Sequence, residues 1–128
     1  MKDGGFSLIE VLTAMALALL LIVGAAELLT ASLWAKRKGD LTAALTHALV
    51  DKLESLKALP FGDAGLAAGG HTDEVRSEPG GVAVEENWDV AEAADGLKRV
   101  RLAVKAAGRP GPAITAVLFI SRDLGFEP

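Results

Sequence analysis

Apolar and polar positions divide this 128-residue chain into stretches of different period. Residues 6–34 barely alternate: Ala, Leu, Ile, Val and Met dominate, and Glu10 and Glu27 are the only ionisable side chains. The uninterrupted apolar run 11–26 measures about 24 Å as a helix, marginal against the ~20 residues that a bilayer core asks for. With the flanks of 6–33 included it is long enough to span, so residues 6–35 are predicted as a transmembrane or assembly helix. Lys36, Arg37 and Lys38 close that stretch. The period then becomes helical and one-sided, with Leu41, Leu45, Leu49, Leu53 and Leu56 recurring at spacings of three and four beside Ala44 and Ala48. Such a stripe predicts an amphipathic helix over 36–59, with Asp51, Lys52, Glu54, Ser55 and Lys57 on a solvated face and Pro60 as its stop. No proline interrupts residues 6–59, so the two halves can join as one helix of about 80 Å. Gly24 and Gly39 are its weak points, each costing roughly 1 kcal/mol relative to alanine.

Residues 60–81 hold Pro60, Gly62, Gly65, Gly69, Gly70, Pro79, Gly80 and Gly81 and read as a glycine-rich loop. After them the period is two. Val82, Val84, Glu86, Trp88 and Val90 point one way, and Ala83, Glu85, Asn87 and Asp89 the other. Asp95-Gly96 is a strong turn dipeptide, and beyond it Val100, Leu102 and Val104 share one face while Arg99, Arg101 and Lys105 share the opposite one. Gly108, Pro110, Gly111 and Pro112 punctuate again before a third run, 114–120, apolar on both faces. The expected fold class is α+β: a long N-terminal helix, half transmembrane and half amphipathic, packed on a small antiparallel β-sheet of three or so strands within 82–128. A sheet that small needs a cover for its apolar face. The stripe from Leu41 to Leu56 is the candidate.

Composition narrows the chemistry. Half of the chain is hydrophobic (51%), cysteine is absent and there are two histidines. This argues against zinc fingers, iron–sulfur proteins, disulfide-stapled domains and thiol enzymes. A net charge of −4 argues against a dedicated nucleic-acid binder. His47 and His71 are isolated and have no metal-ligand spacing, Gly-x-Ser-x-Gly does not occur, and the glycines at 62–70 are followed by no Gly-Lys-Ser or Gly-Lys-Thr. No enzyme constellation, metal site or cofactor is therefore expected.

The most specific feature is Gly5-Phe6-Ser7-Leu8-Ile9-Glu10-Val11-Leu12 at the head of the apolar helix. A secretory signal would put its apolar region before the cleavage site. Here the order is reversed: a polar leader, residues 1–5, ends in glycine and the apolar helix follows. The arrangement resembles the type IV prepilin family, in which a membrane-embedded aspartyl prepilin peptidase cuts after the glycine and methylates the new amine. Carried over, the resemblance implies a type IV pilin-like fold, cleavage after Gly5, Phe6 as the N-methylated mature N-terminus, and Glu10 as the glutamate fifth from that end. It implies the peptidase, other pilins or pseudopilins and an inner-membrane assembly platform as partners, with membrane lipid around the helix before assembly. It also implies a single-pass inner-membrane topology, N-terminus cytoplasmic and C-terminal domain periplasmic, and then a place in a pilus or pseudopilus filament.

Glu10 makes sense without the resemblance. An ionised carboxylate in a low-dielectric layer is expensive unless paired. The ammonium that cleavage would create at Phe6 is the natural partner, within one helix or from a neighbouring subunit, where the pair would set axial register. The bland alternative is an interfacial residue facing headgroups. Glu27 reads as a solvated residue at the outer boundary, near Lys36 to Lys38, with a basic group of a neighbouring subunit as the alternative partner. Gly24 with Ala25 and Ala26 reads as ordinary membrane-helix composition, or as a place for close helix packing or local melting.

A second resemblance concerns the branch. Residues 49–61, the glycine-rich loop, Trp88-Asp89-Val90 and Leu97-Lys98-Arg99-Val100 are similar to the minor pilins called type IV pilus modification proteins, and to the I-type minor pseudopilins of type II secretion systems. The leader departs from the family because Asp3 offsets Lys2, and the C-terminal cysteine pair of many major pilins is missing, which favours a minor role. Lys36, Arg37 and Lys38 would invert the topology by the positive-inside rule, whereas the peptidase motif requires a cytoplasmic leader. The expected function is thus a minor type IV pilin that enters or initiates a pilus filament, with a minor pseudopilin as the alternative. A DNA-binding uptake pilin, using Lys98, Arg99, Arg101 and Lys105, ranks lower, because a charged outer sheet face opposite Glu85 and Asp89 explains those residues.

Overall fold

The computed structural model describes residues 4–78 and 80–124. The chain divides into two compact units, Met1–Gly39 and Asp40–Pro128. Helix α1, Leu8–Ala58, contributes to each.

In the first unit α1 is apolar around its whole circumference and buries no residue. Leu8, Ile9, Leu20, Leu21, Leu28 and Trp34 are more than two-thirds exposed. A helix apolar all round is suited to lipid or to the inside of a larger assembly. Its hydroxyls make no demand on either: Thr13 Oγ1 donates to the Ile9 carbonyl at 2.7 Å, Thr30 Oγ1 to Ala26 at 2.9 Å, and Ser32 Oγ to Leu29 at 2.9 Å.

In the second unit the end of α1 is followed by a 3₁₀ turn, Ala64–Leu66, then β1 Gly69–Ser77, β2 Val82–Ala94, β3 Leu97–Ala106, β4 Ile114–Ser121 and a second 3₁₀ turn, Arg122–Leu124. The strands form one antiparallel sheet in the order β1-β2-β3-β4. The leucine stripe of α1 covers it: Leu45, Ala48, Leu49 and Leu56 pack with Val84, Trp88, Val90, Val100, Leu102 and Val104. The alternation predicted for β2 and β3 is the alternation observed, with Val84, Glu86, Trp88, Val90, Val100, Leu102 and Val104 all buried. Asp95-Gly96 closes the β2–β3 hairpin with Gly96 at φ 72°, a conformation that L side chains avoid. The opposite sheet face is charged, as expected. Lys105 pairs with Glu85 at 3.3 Å, Asn87 Nδ2 donates to Glu85 at 2.8 Å, and Arg101 lies opposite Asp89 in register.

Two expectations are corrected. Residues 60–81 are not simply a loop, because β1 lies inside them and makes the sheet four-stranded. Its inward positions are His71, Asp73, Val75 and Ser77, opposite Trp88, Glu86, Val84 and Val82. Only one of those four is an aliphatic residue, so no hydrophobic period of two marks the strand. Nor is Lys52 part of a solvated face. Its side chain is 15% exposed and its Nζ lies 3.2 Å from Asp73 Oδ2 and 3.1 Å from Glu86 Oε2. Asp73 of β1, Glu86 of β2 and this lysine account for one another.

The segment between α1 and β1 is also held in place. Asp63 caps the 3₁₀ turn by accepting from the Gly65 amide at 2.8 Å. Lys98 Nζ donates to the Phe61 and Leu66 carbonyls at 2.7 and 2.9 Å, and Trp88 Nε1 to the Gly65 carbonyl at 2.9 Å. Leu66 is thereby fully buried in the core.

Candidate processing and assembly site

The motif residues lie at the start of the first unit. Gly4, Gly5, Phe6 and Ser7 are irregular and exposed, and α1 begins immediately afterwards. Two glycines disfavour a helix here through their conformational entropy. Ser7 starts it instead: its carbonyl accepts from the amides of Glu10 at 2.9 Å and Val11 at 3.1 Å. The Gly5–Phe6 peptide bond is therefore outside the helix. Phe6 is 81% exposed, and a Cβ added at Gly5 would meet nothing within 4 Å. The Gly5–Phe6 bond is therefore accessible without unwinding a helical turn.

Glu10 occupies the first turn of α1 and is exposed. An acidic group there is favoured by the partial positive charge of the unsatisfied amides at the helix start. No ion pair is formed by Glu10 among the described residues. Lys2 and Asp3, the offsetting charges of the leader, lie outside the described residues. Glu27 is exposed on α1. A Cβ at Gly24 would meet nothing within 4 Å, so this glycine faces open space in the isolated chain. Lys36, Arg37 and Lys38 continue the helix after the exposed Trp34.

The second unit brings together charged residues that the linear pattern kept apart. Lys52 from α1, Asp73 from β1 and Glu86 from β2 converge, and the lysine Nζ also lies 4.1 Å from the centre of the Trp88 ring. His71 stacks on Trp88 with ring centres 5.2 Å apart. The Lys52 hydrogen bond holds the Asp73 carboxyl below its ordinary range, aided by a hydrogen bond from the Glu74 amide. Asn87 first, and Lys105 second, do the same for Glu85. Beside the Lys52 cluster a groove of about 450 Å³ opens between α1 and β1, lined by His47, Asp51, Lys52, Arg76, Glu78 and Glu86 among others. His47 Nδ1 is 3.2 Å from Asp51. Within the cluster the lysine's positive charge faces two carboxylates, and the arrangement is one of charge compensation. Among the described residues no three His, Asp or Glu side chains converge to hold a metal ion.

The strip considered for DNA is split by the fold. Arg99 and Arg101 are exposed on the outer face of β3, and Lys105 is paired with Glu85. Lys98 is turned to the 59–68 segment and lies 4.4 Å from the centre of the Phe61 ring.

A family model described as the prokaryotic N-terminal methylation motif matches residues 1–26. No curated protein and no solved structure matches the chain significantly. The matched residues contain the whole of the exposed segment and the first part of α1.

Proposed function

We propose that this type IV prepilin-like chain is a minor pilin, cut after Gly5 by a prepilin peptidase, methylated at Phe6 and built into a pilus filament or its initiating complex. The observation that carries the reading is the methylation motif at 1–26, presented on an exposed segment at the head of an apolar helix that buries no residue over 8–39. Such a helix must find lipid or other helices, and the motif is the one that marks pilin-like and pseudopilin chains for assembly. The chain acts as a structural subunit, and the chemistry at its N-terminus is performed on it by the peptidase. Before assembly, residues 6–35 hold it in the inner membrane with the C-terminal unit on the periplasmic side. In the filament, Glu10 pairs with the amine of a neighbouring subunit and sets register.

The second reading is a minor pseudopilin of a type II secretion system, which the same motif and the same exposed apolar helix support. Co-expression with a prepilin peptidase tests the shared premise: mass spectrometry should find the chain shortened by residues 1–5 and carrying one added methyl group. An uncut chain overturns both readings and leaves a simple anchored protein. Deletion of the gene in its host then separates the two, since loss of surface pili supports the pilin and loss of protein secretion the pseudopilin.

A further inference from the structure

We propose that β4 is a docking edge for an extended segment of another protein whose side chains alternate between apolar and acidic. The two edges of the sheet are built differently. β1 carries Gly69, Gly70, Asp73, Glu74 and Arg76, and charge and glycine discourage a further strand. β4 contains no charged residue and no proline over Ile114–Ser121, and among the described residues β3 is its only neighbour in the sheet. Its outer backbone groups are therefore a template for pairing, of the kind that proteins otherwise blunt with charge.

Both faces of this edge have apolar surface left to cover. Val117 and Phe119 are 51% and 58% exposed on the outer face. Ile114, Ala116, Leu118 and Ile120 pack against the core yet stay only half-buried. A strand laid along β4 would extend the core with its inward side chains and place its outward ones beside Val117 and Phe119. The charge of those outward residues follows from β3. Arg99 and Arg101 are opposite Phe119 and Val117 in register and are exposed, and neither forms an ion pair among the described residues. An arginine stem can lie along apolar neighbours and carry its guanidinium outward. The rim is thus apolar and positive: Arg101 faces Asp89 across the sheet, but Arg99 faces Ala91, and an acidic residue at alternate positions of an added strand supplies the countercharge that Arg99 lacks there. A second copy docked β4 to β4 brings no carboxylate from Ile114–Ser121, so it adds no countercharge beside either arginine. In strand addition, main-chain hydrogen bonds supply affinity and alternate side chains supply selectivity. The inference stands on the sheet edge alone and is independent of the filament reading.

The test titrates the full chain, in nonionic detergent micelles, with synthetic peptides of about eight residues, a common strand length. One alternates Val with Glu, one alternates Val with Lys, and one scrambles the first. The Val/Glu peptide should bind about tenfold or more tightly than the other two, a difference of one good contact. Val117→Lys, a change at an exposed position, should weaken it by a similar factor. Arg99→Glu together with Arg101→Glu leaves the edge intact and should reverse the preference toward the Val/Lys peptide, which a merely unfolded sheet would not do. The proposal is overturned if the Val/Glu peptide does not bind, if the scrambled or Val/Lys peptide binds equally well, or if neither variant changes the selectivity. Self-association of the chain that Val117→Lys abolishes also overturns it, because the occupant is then a second copy.

Discussion

Lys52 shows how much one side chain can decide. Glu86 is 3% exposed on the inner sheet face, and its Oε2 lies 3.1 Å from the lysine without hydrogen-bond geometry to any donor. Truncating the lysine leaves a buried carboxylate uncompensated, a change that costs about 3–5 kcal/mol where such pairs have been broken. We expect Lys52→Ala to lower the chain's thermal unfolding midpoint sharply, measured in detergent by the near-UV dichroism of Trp34 and Trp88. Glu86→Gln should restore much of the loss in the double variant. Asp73 has a smaller, pH-dependent part. Its folded pKa is depressed below the ordinary 3.8, so its contribution is complete above that value and is lost as pH falls through the folded pKa. Because its side chain is half exposed, the amount is roughly 0.5 kcal/mol. Asp73→Asn should therefore lower stability slightly at neutral pH and flatten the acid limb of an unfolding profile below about pH 4, the carboxylate range. An unchanged acid limb would show that Lys52 serves Glu86 alone.

Elements were legible where one face is apolar and obscure where it is polar. The stripe Leu41 to Leu56 and the alternation in β2 and β3 are visible as periods because burial there is hydrophobic. β1 is invisible by the same rule, since Ser77 is buried through a hydroxyl that donates to the Ala44 carbonyl at 2.8 Å and Asp73 faces Lys52. Three-dimensional pairing of polar groups leaves no trace in a linear pattern. The exposed N-terminal segment was readable for the opposite reason: its residues are contiguous and their order carries the signal. The 59–68 segment depends on contacts from β2 and β3, with Lys98 spanning two carbonyls. Lys98→Met keeps the stem and removes the ammonium. We expect limited proteolysis of that variant to begin within residues 59–68, while the parent resists there. At the β2–β3 turn, Gly96→Ala at φ 72° should destabilise by about 1 kcal/mol, seen as a lower unfolding midpoint.

For the whole molecule, the two units answer to different surroundings. The second has an internal core, and the first has none among the described residues. On the proposed function, Glu10→Ala separates processing from assembly: cleavage after Gly5 should continue, because Glu10 lies within α1 beyond the exposed residues 4–7, while incorporation into filaments should fall. Peptidase co-expression followed by filament shearing and immunoblotting measures both, and normal incorporation would remove the register role. The hydroxyls of Thr13, Thr30 and Ser32 bear on the proposed passage from bilayer to filament. Each is already spent on a carbonyl of its own helix, so neither lipid nor a neighbouring helix has to provide a polar partner for it. With respect to those groups the helix is portable between solvents: its hydrogen-bond inventory is the same before and after transfer. The free-energy difference of the move is then left to apolar contact and to the carboxylates at Glu10 and Glu27.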